Sequence, residues 1–273
     1  SSTSRGLGDV YKRQVNDDDT MIADLMSERI ISVHVGDDQE DVAQTFRDYD
    51  FLALPVTDYD DHLLGIVTVD DIIDVIDDEA ASDYSGLAGV NVEEVNENPI
   101  KAASRRLPWL ITLLFLGMST ASLISHYEDL VSEASILAVF ISLITGTAGN
   151  AGTQSLAVAV RRLAISDEKE NSFTRLILAE VFTGLVTGAV TGLTIFLIVG
   201  FWKNNFILGF VIGMAMLFAI TVANLAGSLI PMLMDRLGFD PAVASGPFIT
   251  TLSDLTSVLI YFNIASLFMG YFM

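Results

Sequence analysis

The chain has 273 residues, 51% of them apolar, a mean hydropathy of +0.51 and a formal net charge of −21 at pH 7. The acidic excess lies in one half, because residues 1–98 hold 25 Asp and Glu against 5 Lys and Arg, whereas residues 99–273 hold 10 against 9. These values argue against a wholly soluble protein and against a nucleic-acid-binding surface, and the lack of cysteine excludes disulfides and thiolate metal sites.

The acidic half predicts a short tail followed by a small α/β domain over residues 15–83. Residues 1–14 are polar and basic without the apolar stretch of a signal peptide, and we expect a non-native tail derived from cloning or sequence assembly. In the domain, the apolar periodicity predicts, in chain order, strand Ile30–Val35, helix Gln39–Tyr49, strands Leu52–Thr57 and Leu63–Val69, and helix Asp70–Asp83.

The last helix of this domain carries many carboxylates. Asp71, Asp74 and Asp78 recur at a spacing that places them on one helix face. Stacked like charges destabilise a helix unless a cation or a basic partner offsets them. The pattern therefore indicates either a cation-binding face or a solvated face that keeps the domain soluble, and the spacing alone leaves both open.

Residues 84–106 connect this domain to the apolar half, and Gly86, Gly89 and Pro99 predict interruptions within the connection. Five segments of residues 107–273 are long and apolar enough to cross a bilayer, which takes about 20 residues per helix. The predicted fold class is a membrane all-α domain of five transmembrane helices preceded by a small α/β domain. The segments are Leu107–Ser125, Ala134–Ala157, Leu176–Phe201, Phe206–Met234 and Ala242–Phe272.

Basic residues in the short connections predict the orientation of these segments. Arginines and lysines precede the first segment, separate the second from the third, and separate the fourth from the fifth, whereas the opposite connections hold only Lys203 as a cation. Because cytosolic loops carry the excess of Lys and Arg, we expect a cytosolic N-terminus and an external C-terminus in a plasma (inner) membrane.

Polar side chains inside the segments point to function. Asp254 lies well inside the fifth segment, where hydrocarbon disfavours an ionisable group that has no role. Thr250, Asp254 and Ser257 recur at helical spacing and predict one face of carboxylate and hydroxyl oxygens, the ligands that Mg²⁺ and other hard cations prefer. The structural alternative is a protonated or hydrogen-bonded Asp254. Glu180, near the start of the third segment, is expected to extend its carboxylate to the membrane surface.

Several stretches of the chain resemble known families. Leu54-Pro-Val56 and Gly65-Ile-Val-Thr-Val-Asp-Asp71 resemble one CBS motif, half of the usual paired module. From about Met21 to the C-terminus the chain resembles the MgtE family of magnesium transporters. That resemblance rests on Val69-Asp-Asp-Ile-Ile-Asp74, Pro108-Trp109, Gly149-Asn-Ala-Gly-Thr-Gln-Ser155, and Asp240-Pro-Ala-Val-Ala-Ser-Gly-Pro247 with Ser253-Asp254.

The MgtE resemblance implies a homodimer whose pore, on the two-fold axis, passes Mg²⁺ passively. It implies pore ligands at Asp254 and Asn150, to which the shared helix face adds Thr250. Family members usually carry an acidic helical domain and a first CBS motif ahead of this point, so we expect a fragment or a split gene. The family scheme also closes the pore when cytosolic Mg²⁺ bridges the CBS region and a plug-like connection, here through Asp38, Glu40, Asp50, Asp71, Asp74 and Asp83.

Mg²⁺ permeation is thus the leading interpretation, and two others stay open. A channel for Co²⁺ or Ni²⁺ is one, because an oxygen site does not separate divalent ions by ligand type alone. A membrane protein that senses an adenine nucleotide through its CBS motif is the other, since such motifs often bind these nucleotides. An enzyme is not expected, because the sequence contains no HExxH, no P-loop and no evident nucleophile–base pair.

Overall fold

The computed structural model describes residues 14–17, 19–21, 30–90, 98–163, 173–239 and 244–271. The chain divides into two compact units between Ala81 and Ser82. The expected tail over residues 1–14 lies outside the described residues, apart from Gln14.

The first unit contains a three-stranded sheet of order β1-β2-β3, which agrees with the predicted α/β class. Strand β1 (Val33–His34) pairs in parallel with β2 (Ala53–Thr57), and β2 pairs antiparallel with β3 (Leu63–Thr68). Helix α1 (Gln39–Tyr49) connects β1 to β2, and α2 (Val69–Ala88) follows β3 directly. The buried core of this unit consists of Val33, Ala43, Phe46, Leu54 and Ile72.

Strand β1 is shorter than the predicted strand Ile30–Val35. It pairs with β2 at two positions, Val33 with Val56 and His34 with Thr57, and the chain then turns at once. An edge strand that is held on one side only ends where its pairing ends.

Among the residues of the second unit that the structure describes, five helices are long and apolar enough to cross a membrane, as the sequence predicts. A short helix, α4 (Glu128–Glu133), and a 3₁₀ turn (Ser135–Leu137) connect the first of the five to the second, and a 3₁₀ turn (Met269–Tyr271) follows the last. The five helices are α3 (Pro99–His126), α5 (Ala138–Leu163), α6 (Phe173–Trp202), α7 (Phe206–Arg236) and α8 (Gly246–Leu267).

The connection between the halves is more helical than predicted. Helix α2 continues through Gly86 and ends before Gly89, whose φ of +66° suits a glycine. Helix α3 begins at Pro99 instead of Leu107, because the side chain of Asn98 accepts a hydrogen bond from the Ile100 amide at 3.0 Å and proline fits the first helical position. The predicted start of the fifth segment, Ala242, lies outside the described residues.

Glycines bring α6 and α7 into backbone contact. Gly184, Gly188 and Gly192 form one stripe along α6, and a Cβ at Gly188 would lie 2.7 Å from the carbonyl oxygen of Leu217 on α7. No larger residue fits this approach, so the spacing serves helix packing, as expected for small residues in membrane helices.

Candidate cation site

Helix α8 carries two of the predicted ligands one turn apart. Thr250 and Asp254 are both partly exposed, and the Thr250 hydroxyl donates a hydrogen bond to the Gly246 carbonyl at 2.9 Å. The helix is capped by Ser245, whose hydroxyl accepts from the Phe248 amide at 3.4 Å. Within the part of the chain that the structure describes, Asp254 has no hydrogen-bond or ion-pair partner. Its carboxylate oxygens are therefore available to a ligand.

Asn150 on α5 lies beside this segment of α8. The preceding residue, Gly149, packs directly on Thr250, since a Cβ at Gly149 would lie 3.0 Å from Thr250 Cγ2. Asn150 itself is exposed, and among the described residues its side-chain amide has no hydrogen-bond partner. The structure therefore brings Asn150 and Thr250 to neighbouring positions, with Asp254 one turn further along α8.

The exposed face of α5 around Asn150 is polar for a membrane helix. Gly146, Asn150 and Gln154 follow one another at four-residue spacing and are all exposed. Hydrocarbon offers no hydrogen bonds to an amide side chain. This face is thus better suited to water or to a protein partner than to lipid.

The expected oxygen face of α8 is narrower than predicted. Ser257 is fully buried, whereas Asp254 and Thr250 are partly exposed. A step of three residues turns a helix by about 300°, so Ser257 points away from Asp254 by roughly 60°. Ser253 and Ser257 are buried in the interior of the second unit, and neither hydroxyl has a hydrogen-bond partner among the described residues.

The acidic residues proposed for regulation have local structural roles in the first unit. Asp38 caps α1 by accepting from the Glu40 amide at 2.9 Å, and Asp50 ends the same helix in the left-handed region, with φ of 50°. Asp71 accepts a hydrogen bond from the Thr68 hydroxyl at 2.6 Å. The contacts of Asp38 and Asp71 hold their carboxylates in place, and metal binding by all three residues stays a prediction.

The other three residues of this set are Glu40, in the first turn of α1, and Asp74 and Asp83, both on α2. Asp74 is exposed on α2, and Asp83 is half-buried near the end of the same helix, within the second unit. Among the described residues, none of the six predicted regulatory carboxylates belongs to a group of three ligand atoms close enough to hold a metal. If they bind Mg²⁺, the remaining ligands must come from water or from elsewhere.

One such group of three exists at the turn between β2 and β3. Ligand atoms of Asp58, Asp60 and His62 lie within 4.8 Å of one another. The pKa of Asp58 is held below its usual value, chiefly because its carboxylate accepts a hydrogen bond from the His62 amide at 2.8 Å. These three residues are not among the predicted ligands, although their spacing at every second position is visible in the sequence. The hydrogen bonds account for the cluster as a turn motif.

The C-terminal end of α2 packs near the N-terminus of α8, where Ser245 caps the helix. Leu87 packs against a buried cluster that includes Leu156, Val160 and Ile249. Gly89 lies against the indole of Trp109, where a Cβ would be 2.5 Å from Nε1. The last turn of α2 is thus an integral part of the second unit at the start of α8.

Glu180 corrects a sequence-based expectation. Its carboxylate does not extend to the membrane surface, because the residue is only 9% exposed and its oxygens contact Ser155, Arg162 and Asn224. The sequence does show a polar residue in each of the segments before and after α6, Ser155 on α5 and Asn224 on α7. Sequence alone does not show that these residues meet.

Comparisons with known proteins bear on both halves. Residues 141–264 match the MgtE family, described as a divalent cation transporter, and residues 22–78 match the CBS domain. The chain is 87% identical over 258 residues to the magnesium transporter MgtE of Enterococcus faecalis, covering 94% of this chain and 57% of that protein. It is 43% identical over 248 residues to the magnesium transporter MgtE of Bacillus subtilis, covering 90% and 55%. The protein of that name from Thermus thermophilus is 37% identical over 258 residues, covering 93% and 57%.

The chain spans about half the length of the curated relatives it matches. All three relatives are named as transporters, a class distinct from enzymes.

Proposed function

We propose that this chain, whose residues 141–264 match the MgtE family and whose residues 22–78 match the CBS domain, conducts Mg²⁺ passively across a membrane. The observation that carries the proposal is Asp254, a carboxylate on a membrane helix that has no partner among the described residues. Thr250 lies one turn before it on α8 and packs on Gly149, the chain neighbour of Asn150. The names of the relatives support Mg²⁺ as the transported ion.

The chemistry of these groups suits an ion that keeps its water. Mg²⁺ gives up its hydration shell reluctantly and is commonly bound through one or two carboxylates and retained waters. Asp254 supplies charge, and the Asn150 amide and Thr250 hydroxyl supply neutral hydrogen-bonding groups for coordinated water. A divalent ion gains about twice the Coulomb energy of a monovalent ion near one carboxylate, which favours Mg²⁺ over Na⁺ or K⁺.

The functional unit in this proposal is a homodimer. The exposed polar face of α5 requires water or a partner, and two copies that turn this face toward each other enclose a polar path. Two facing Asp254 carboxylates then attract one Mg²⁺. The excess of arginine and lysine in alternate connections supports a cytosolic N-terminus and an external C-terminus in the plasma (inner) membrane.

Gating in this proposal acts through α2. Its last turn packs at the start of α8 through Leu87, and upstream it carries a row of exposed carboxylates that includes Asp71 and Asp74. When cytosolic Mg²⁺ is abundant, ions bound among these carboxylates hold α2 in place and the path is closed. When Mg²⁺ is scarce, unshielded like charges repel and favour an open arrangement.

The experiment is Mg²⁺ uptake into proteoliposomes by the wild-type chain, Asp254→Ala and Asp254→Asn. We expect both variants to lose at least about ten-fold in uptake rate, since each removes the negative charge that attracts the hydrated cation. Asp129→Ala, a change of an exposed carboxylate on α4, serves as the matched control and should transport normally.

The outcomes separate the alternatives. Unchanged uptake by Asp254→Ala contradicts a pore at this residue. Uptake of Co²⁺ or Ni²⁺ with little Mg²⁺ uptake favours the other divalent channel. Tight binding of labelled ATP or AMP without any ion uptake favours a nucleotide sensor.

A further inference from the structure

A carboxylate is buried between three of the membrane helices. Glu180 of α6 accepts hydrogen bonds at Oε2 from the Ser155 hydroxyl of α5, at 3.2 Å, and from the Asn224 amide of α7, at 3.0 Å. Its Oε1 lies 3.6 Å from Nη2 of Arg162, at the end of α5. Asn224 also donates to the backbone carbonyl of Glu180 at 3.1 Å. One acidic side chain therefore ties α5, α6 and α7 together.

Such a group is retained only if it has a role. A buried charge in a membrane helix is costly, and its partners must compensate nearly all of the lost hydration. Here both carboxylate oxygens have partners, including a cationic one. The arrangement is specific in direction as well as in charge, since each partner comes from a defined position on its helix.

The surrounding helix contacts leave the relative register of α5, α6 and α7 weakly defined. At the same level of the bundle, Gly152 of α5 lies against Gly227 of α7, and Gly184 of α6 lies against Thr221 of α7. Glycine contacts allow backbones to approach closely, but they present few projecting side chains that would resist sliding or rotation. The register of these helices therefore depends on the polar contacts of Glu180.

The register of α5 at Ser155, on the side that faces α6, also sets the position of Asn150 on the side that faces α8. Ser155 is five residues after Asn150, about 7.5 Å along the helix axis. The face next to Asn150 contacts α8 through Gly149, whose Cβ position is 3.7 Å from the Cβ of Thr250. A rotation or slide of α5 after loss of the Ser155 contact would move Asn150 relative to Asp254.

We propose that Glu180 is a positioning residue, which fixes the register of α5 so that Asn150 stands beside the Asp254 segment of α8. The part of this inference that concerns ion binding rests on the proposed function. Glu180 is not itself an ion ligand in this arrangement, because Ser155 and Asn224 occupy one oxygen and the Arg162 guanidinium repels a cation at the other.

The first test does not depend on transport. The chain has no cysteine, so Gly149→Cys with Thr250→Cys creates a single thiol pair. The 3.7 Å between the two Cβ positions fits the separation of about 3.5–4.5 Å that a disulfide needs. On addition of a mild thiol oxidant to the full chain in detergent, we expect rapid disulfide formation. The rate should be markedly slower after Glu180→Ala and near-normal after Glu180→Gln, whose amide oxygen still accepts from Ser155 and Asn224.

Glu133→Ala is the matched control, since Glu133 is exposed at the end of α4. It should not change the rate of disulfide formation. Equal rates in the Glu180→Ala, Glu133→Ala and parent chains would overturn the proposal. If Glu180→Ala does not yield folded protein, Asn224→Ala takes its place, and an unchanged rate in that variant overturns the proposal equally.

The second test measures ion binding through uptake by the chain without the cysteines. We expect Glu180→Ala to raise the half-saturating Mg²⁺ concentration about ten-fold, as loss of a residue that orients a metal ligand commonly does, with Glu180→Gln within about two-fold of wild type. Half-saturation does not depend on the amount of folded protein, so a purely structural loss would lower the maximal rate alone and contradict the proposal. Absence of uptake by the wild type would refute the proposed function, while the disulfide rates would still decide the role of Glu180.

Discussion

The contact between α5 and α7 predicts a large effect of one methyl group. A Cβ at Gly227 would overlap the carbonyl oxygen of Gly152 and lie 3.0 Å from its carbonyl carbon. Both are backbone atoms, so the helices themselves must separate to admit the methyl group. We expect overpacking by Gly227→Ala to cost about 1–3 kcal/mol in the free energy of unfolding, offset by about 1 kcal/mol from the better helix propensity of alanine.

Gly117→Ala on α3 isolates the packing contribution. A Cβ at Gly117 meets no atom within 4 Å, and this glycine is also inside a helix. Because the gain in helix propensity is common to both variants, their stabilities should differ by the overpacking cost alone, about 1–3 kcal/mol.

The assay is thermal unfolding in detergent, followed by tryptophan fluorescence. At about 2–4 °C per kcal/mol for a chain of this size, Gly227→Ala should melt at least about 2 °C below Gly117→Ala. Equal melting temperatures for the two variants would refute the packing argument. A higher melting temperature for Gly227→Ala would refute it equally, because the added methyl group would then meet no close backbone atoms.

Two further predictions concern single hydrogen-bonding groups. The buried Tyr261 hydroxyl donates to the Leu137 carbonyl at 3.0 Å, so Tyr261→Phe should lower the free energy of unfolding by about 1 kcal/mol, whereas the same change at the exposed Tyr271 should not; equal shifts in melting temperature would contradict this. The lowered pKa of Asp58 means that its stabilising contribution is complete above pH 3.8, the pKa in the unfolded chain, and is lost as the pH falls below that value. The protection of the His62 amide against hydrogen exchange should decline in the same pH range, since this amide donates to the Asp58 carboxylate. A decline that persists in Asp58→Asn would contradict this assignment.

The sequence predicts the regular parts of this structure well. Helix α1 has the predicted bounds, because the Asp38 cap and the left-handed Asp50 define its ends. The five apolar helices are confirmed as elements, since apolar length is a strong and local signal. Their ends are less predictable: α3 starts eight residues before the apolar stretch, because a cap at Asn98 and a proline start the helix outside it.

The candidate site is predictable only where one residue carries the signal by itself. Asp254 stands out because an ionisable group in a membrane segment is costly, whereas Asn150 was identified only through the resemblance to a family. The prediction for Glu180 is wrong, because its position near the helix start is equally compatible with a side chain that reaches the membrane surface. Its actual partners are 25 and 44 residues away in sequence, and no periodicity within one helix reveals them.

The glycine-lined contact of α6 and α7 has a thermal consequence. Lipid tails are as apolar as the helices, so this contact is held by dispersion and polar contacts and gains nothing from the release of water. The core around Phe46 and Leu54 in the first unit is instead held by the hydrophobic effect, which weakens on cooling. The stabilities of the two units therefore depend differently on temperature. Cooling lowers the stability of the water-exposed first unit, whereas the contact of α6 and α7 keeps its strength.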